Sequence, residues 1–387
     1  MTQVRRLLSI DGGGVKVLSA LVLLEELEKS LKTTGKTLLD VFDVFCGTSA
    51  GALVIAALVY AEMTASEIRE HFFSKHALDR MMPYSILNRL DFMQMNCKFD
   101  GIGKRQMINE IIKPDWRLRG TTKVVIITAY DTYEKRPIVF SSERDDVSAI
   151  LLRDLLDGAS AAPGYFPLVH STSLGRPMRL VDGAVFANNP TMIGYTELND
   201  IYKQTLDTVR ILSLGTGKHT LKRPVDDVHR PNEDYHPRNR QPIRDNSGGF
   251  PWVLEGDLMS IVYESPQDII DAEINAWVSD LKDQYIRVNG HLPNNRLDDT
   301  SETNIKALEE RGRTWWEENQ VSIWAYIVMV NENLTYRRDE VDFSDDDSDD
   351  DDSDNDEDDD DSTVETPDSP ESEIEEDEAP NEEENHA

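Results

Sequence analysis

Ser49 stands at the centre of Gly47-Thr48-Ser49-Ala50-Gly51, with an apolar run from Val41 to Cys46 before it and another from Ala50 to Ala61 after it. A strand, a sharp corner and a helix in that order present one hydroxyl alone at the tip, the arrangement of a nucleophile elbow. The glycines two residues to either side suit such a corner, because a Cβ there would meet the neighbouring backbone. Three fixed positions in five also arise by chance in many chains. The strand and helix around them favour a nucleophile.

A second glycine cluster, Asp11-Gly12-Gly13-Gly14-Val15-Lys16, lies between a strand-like run, Leu7 to Ile10, and a helix-like one, Val17 to Leu31. Bare backbone N–H groups at a helix start hold an anion, either a phosphate or the oxyanion of a tetrahedral acyl intermediate. A dinucleotide fingerprint needs glycine at position 17, where Val17 stands, and the Lys-Ser/Thr ending of a nucleotide loop is missing. An oxyanion hole made by Gly12, Gly13 and Gly14 is the better reading.

The third element, Arg179 to Pro190, reads as a strand ending in Asp182-Gly183. Aspartate beside glycine is ordinarily a turn former. Here Asp182 is read as the general base, because a serine hydrolase otherwise needs a histidine. The histidines after Ser49 are His71, His76, His170, His219, His229, His236, His291 and His386, and none lies in a segment resembling a catalytic loop. A carboxylate of ordinary pKa, about 4, is a poor base for an alcohol. Burial beside Leu180, Val181, Val185 and Phe186 is the expected remedy.

With these segments in place, the chain resembles the patatin-like phospholipases, serine acyl hydrolases that use a Ser-Asp dyad without histidine. Asp11 to Lys16 is similar to the family's glycine-rich loop, with Lys16 at its basic position. Gly47 to Gly51 is similar to its elbow, and Asp182-Gly183-Ala184 to its Asp-Gly-Gly/Ala box. Further likeness lies in Ser160 to Pro167, Phe186 to Pro190 and Leu212 to Gly217, and more weakly in Tyr285 to Val288 and Leu297 to Leu308. Val17 and Ala52 depart from the pattern, each standing where glycine is frequent. The resemblance implies Ser49 as nucleophile, Asp182 as base, an acyl-enzyme intermediate and an acyl-lipid substrate such as a phospholipid. No metal or organic cofactor is implied, and no nucleic acid partner. A nonlipid carboxylesterase, a histidine triad and a catalytically silent lipid-binding or docking protein are the competing readings.

The alternation of strand-like and helix-like runs argues for a three-layer α/β/α fold with a largely parallel central sheet. Further strands are expected at Lys123 to Ala129, Ile138 to Ser141, Leu180 to Val181 and Val209 to Leu214, with a helix near Ile150 to Ala159. The expected organisation is an acyl hydrolase domain over 5–200, a part over 201–338 that completes it, and an acidic tail over 339–387.

The formal charge of −34 is concentrated in that tail, where Asp339 to Ala387 carries 28 acidic residues and no lysine or arginine. Its composition cannot bury enough apolar surface to offset chain entropy, so disorder is expected. A solvating extension, an electrostatic regulator, a dock for a basic protein and loose divalent-cation binding are the readings open to it. Two cysteines, Cys46 and Cys97, give no disulfide framework and fit a reducing, cytoplasmic setting. Leu7 to Ile10 is too short for a secretory h-region, and the twelve residues of Ala50 to Ala61 are too few to cross a bilayer. Membrane contact is therefore expected to be peripheral. Met81 to Met95 suits an acyl channel or core packing, and Lys218 to Gly249, rich in both charge signs, reads as a long surface loop.

Overall fold

The computed structural model describes residues 4–83, 96–203, 208–218, 257–277, 284–292 and 296–328. The chain divides into two units, 1–335 and 336–387, and every described residue belongs to the first. The acidic tail, most of Lys218 to Gly249 and the part of the methionine-rich stretch from Tyr84 to Met95 lie outside the described residues.

In chain order the elements that position the site are β1 (Arg5–Ile10), α1 (Val17–Lys32), α2 (Leu38–Val41), β2 (Val44–Gly47), α3 (Ala50–Tyr60), α4 (Ala65–Ile68), α5 (Lys75–Met81) and α6 (Ile102–Ile111). They continue as β3 (Val124–Asp131), β4 (Arg136–Ser141), α7 (Leu152–Ala159), β5 (Val169–Ser171), β6 (Met178–Asp182), α8 (Ala184–Ala187) and α9 (Thr191–Tyr202). The last four are β7 (Val209–Leu214), α10 (Asp257–Trp277), β8 (Tyr285–Val288) and α11 (Glu302–Ile323).

One eight-stranded sheet runs β5-β6-β3-β2-β1-β7-β8, with β4 also paired to β3. The five strands from β3 to β8 are mutually parallel, while β4, β5 and β6 pair antiparallel. Its strands alternate between two apolar clusters. Leu8, Phe45, Val125, Ile127 and Leu212 face one core, with α1, α3 and α11. Leu7, Val44, Cys46, Val124, Ile126 and Ile211 face the other, with α9 and α10. A sheet buried on both faces is what a parallel arrangement demands, and it makes the molecule a three-layer α/β/α fold with a mostly parallel sheet.

One detail differs from the sequence reading. The apolar run from Val41 was read as strand, but Leu38–Val41 is a helical turn and β2 begins at Val44. The reason is a capping box: Thr37 accepts from the Asp40 N–H at 3.3 Å and the Asp40 carboxylate takes the Thr37 N–H at 2.9 Å. Beyond residue 200, β7 pairs with β1 along its whole length and β8 extends the sheet.

Register brings the chemistry to one edge. Ile10 aligns with Gly47 on one side and with Leu214 on the other, so the loops after β1, β2 and β7 leave the sheet together. This is the carboxyl-end crevice where open α/β sheets place their sites, beside the strand at which the winding reverses.

Candidate active site

Ser49 is the N-cap of α3 at φ 55°, ψ −124°. A positive φ in a residue with a Cβ costs about 1–3 kcal/mol and persists only where its surroundings over-determine it. Here the Thr48 hydroxyl donates to the Ala187 carbonyl at 2.7 Å and meets the Thr128 hydroxyl at 2.7 Å, while the Thr48 N–H donates to Ile10 at 3.2 Å. Gly51 is where the corner has least room, since a Cβ there would lie 2.7 Å from the Asp11 carbonyl. Gly47 abuts the Ala52 N–H in the same turn, and Gly183 abuts Thr128.

The Ser49 hydroxyl donates to Asp182 Oδ2 at 2.5 Å, across 133 residues of sequence. Asp182 ends β6, and its other oxygen accepts the Ala184 N–H at 2.8 Å. Only 1% of Asp182 is exposed. Burial pushes its carboxyl up to about 6, against the downward pull of the Ser49 hydroxyl, the Ala184 N–H and the Lys104 charge. Of the apolar neighbours expected to bury it, Leu180 is buried, whereas Val181, Val185 and Phe186 are half-buried.

The glycine loop splits by role. Gly12 was expected to be an oxyanion donor, but its N–H already donates to the Asn188 carbonyl at 2.9 Å and its carbonyl accepts the Thr216 hydroxyl at 2.7 Å. It is a clamped strut. Gly13 and Gly14, whose N–H groups meet no acceptor among the described residues, line the cavity beside Ser49. Gly14 adopts φ 56°, and a Cβ on it would strike the Leu297 carbonyl. Lys16 is buried and lines the same cavity. Val17, the departure from pattern, is a buried first residue of α1 and lies past the glycines.

Beneath the loop lies a pair that sequence reasoning missed. Arg287 of β8 forks onto Asp11, Nη1 to Oδ1 at 2.8 Å and Nη2 to Oδ2 at 2.6 Å, and also donates to Ser213 at 2.9 Å. Burial pushes the Asp11 carboxyl up and the fork pulls it back. A guanidinium does not release its proton, so the two form an ion pair. Lys104 was missed as well. It is 1% exposed and lines the cavity near Asp182.

The cavity, partly open to solvent, spans about 1120 Å³. Ser49, Asp182, Gly13 and Gly14 line it together with an apolar wall of Leu53, Phe73, Leu78, Met81, Met82 and Phe166. No histidine among the described residues lines it. Nor, among those residues, do three or more His, Cys, Asp or Glu gather where a metal could be held. Cys46 packs in the core, its thiol pushed up by burial.

A family model described as patatin-like phospholipase matches residues 8–195. Patatin-like protein 1 of Arabidopsis thaliana is 27% identical over 332 residues, 78% of this chain and 76% of that protein. Patatin-like protein 2 of the same plant is 32% identical over 244 residues, 55% of this chain and 60% of that one. Among solved structures, VipD from Legionella pneumophila aligns with a TM-score of 0.39 and 12% identity, covering 82% of this chain and 67% of that chain. The chain belongs to the patatin-like phospholipase family, a family of lipid acyl hydrolases.

Proposed function

We propose that this protein is a serine lipid acyl hydrolase of phospholipase A or lysophospholipase type, working through a Ser49–Asp182 dyad. The observation that carries the reading is the 2.5 Å hydrogen bond from the Ser49 hydroxyl to a fully buried carboxylate that lines a cavity with an apolar wall. As Ser49 Oγ attacks the ester carbonyl carbon, its proton passes to Asp182 Oδ2. The carbonyl oxygen becomes an oxyanion and accepts the N–H groups of Gly13 and Gly14. Collapse breaks the ester C–O bond, and the proton on Asp182 goes to the departing alcohol oxygen. Water then attacks the acyl-enzyme, again losing a proton to Asp182, and free fatty acid leaves with Ser49 restored.

The acyl chain lies along the wall that Met81, Met82 and Phe166 help to form. Among the described residues no helix is long and apolar enough to cross a membrane, and the reading has the protein meeting its lipid peripherally from the cytoplasm. Mass spectrometry of a mixed lipid extract incubated with wild type and Ser49→Ala tests it. Free fatty acids and matching lysolipids are expected with wild type alone. Equal product from both proteins, or release from water-soluble esters but no lipid, would overturn it.

A further inference from the structure

Lys104 is a lysine in the third position of α6 with 2% of its side chain exposed, far more buried than lysines usually are. Its ammonium has three partners for three protons: the Asp157 carbonyl at 2.6 Å, the Ser160 hydroxyl at 3.1 Å and Asp157 Oδ1 at 3.2 Å. It also sits 4.7 Å from the centre of the Phe166 ring. Asp157 Oδ2 is taken by Arg105 at 2.7 Å, so two basic side chains share one carboxylate, and the Asp157 charge opposes the burial that pushes the Lys104 ammonium down. All three contacts are made to the protein's own groups. The lysine's place in the fold suggests its use.

Asp157 and Ser160 lie at the end of α7, and the next residue, Ala161, offers its carbonyl to the Asp182 N–H at 3.1 Å. Lys104 therefore ties α6 to the turn on which the Asp182 backbone hangs. We propose that Lys104 is a positioning residue for Asp182, fixing the Asp157–Ser160 turn and setting a buried positive charge beside the carboxylate it shares the cavity with. The inference rests on Asp182 being the base of the proposed hydrolysis.

The other titratable or charged groups around Asp182 are Ser49 at the head of α3, Tyr263 from α10 and Tyr165 from the loop after α7. Lys16 and Arg296 line the cavity too. Of all these, Lys104 is the one whose charge pulls the Asp182 carboxyl down against burial. Removing that charge favours protonated Asp182, so the base form requires a higher pH.

The test is the pH profile of kcat/KM on a p-nitrophenyl acyl ester for wild type, Lys104→Arg and Lys104→Met, with Lys104→Gln as the variant that keeps a hydrogen-bond donor should methionine prevent folding. The acid limb is expected to move up by roughly half a pH unit or more in the methionine or glutamine variant, and to stay in place in the arginine variant even where its rate falls. A limb that coincides with wild type in the uncharged variants, with only a uniform loss of rate, would overturn the proposal. A second readout needs no turnover: the carboxyl NMR titration of Asp182 in the Ser49→Ala background, with and without Lys104→Gln. A higher midpoint without the lysine supports the inference even if no ester were hydrolysed, a result that would count against the hydrolase reading alone. Coincident midpoints would defeat the inference however active the enzyme proved.

Discussion

At the scale of single residues, Asp182 has two consequences that pull apart. Its carboxyl is held at about 6 mainly by burial, which makes it a far better base than an ordinary carboxylate. It also moves the acid limb into the range of histidine, so the position of the limb does not separate the two. The temperature dependence does, because a carboxyl ionises with little enthalpy and an imidazole with much. The limb of kcat/KM is expected near pH 6 and nearly independent of temperature, and a limb that falls steeply on warming would point to histidine. The second consequence is for stability. The folded carboxyl titrates about 2 units above its unfolded value of 3.8, so between those values the folded state holds the proton more tightly. Stability therefore falls as pH rises through that window, and above about pH 6 the ionised group costs on the order of 2–3 kcal/mol. Asp182→Asn should be inactive yet more resistant to denaturant than wild type at pH 8, the advantage vanishing below about pH 4. Urea unfolding at the two pH values measures it.

At the scale of elements, the glycine loop and its support make separable demands. Gly13→Ala, whose Cβ crowds the Thr216 side chain, should lower kcat by roughly a hundredfold, with a smaller effect on KM, if the loop N–H groups receive the oxyanion, whereas Gly14→Ala at φ 56° would also press on the Leu297 carbonyl and lower stability. Arg287→Met should act through folding instead, costing about 3–5 kcal/mol by leaving Asp11 charged and unpaired at 0% exposure. Asp11→Leu combined with Arg287→Met should recover much of that loss in chemical denaturation. Much of this level was legible in the sequence. Val209–Leu214 is the strand that its apolar run predicts, and α3 follows Ser49 as the elbow requires. Illegible features were those set by partners distant in sequence. Gly12 looks like its neighbours until Asn188 and Thr216 claim both sides of its peptide. Arg287 reads as one surface-type residue in a short strand until β8 brings it under Asp11. Lys104 gave no signal, because a lysine's burial depends on Asp157, 53 residues away. Even so, Asn188 and Thr216 fall inside Phe186 to Pro190 and Leu212 to Gly217, segments that the resemblance had picked out.

At the scale of the whole molecule, charge is divided unevenly along the chain. The 28 acidic residues from Asp339 to Ala387 stand against a formal charge of −6 for the rest. Every residue of the site lies before that segment. Deleting 339–387 should leave turnover of a soluble ester and thermal stability nearly unchanged, and should increase binding to anionic vesicles by removing a like-charge barrier. The difference between the two proteins should shrink as the Debye length falls from about 10 Å at 0.1 M salt to about 3 Å at 1 M. Vesicle cosedimentation across that range checks it, and equal binding at low salt would leave the tail as a solubilising extension or a dock for a basic protein.

The central claim is that Ser49 is a nucleophile activated by Asp182, and peptide mapping after exposure to an alkyl fluorophosphonate tests it most directly. The expected result is one covalent adduct on the peptide bearing Ser49, absent in Ser49→Ala, slowed at least about a thousandfold in Asp182→Asn, and unaffected by replacing any histidine. An adduct elsewhere, no adduct at all, or loss of labelling on removal of one histidine from a folded protein would contradict the account.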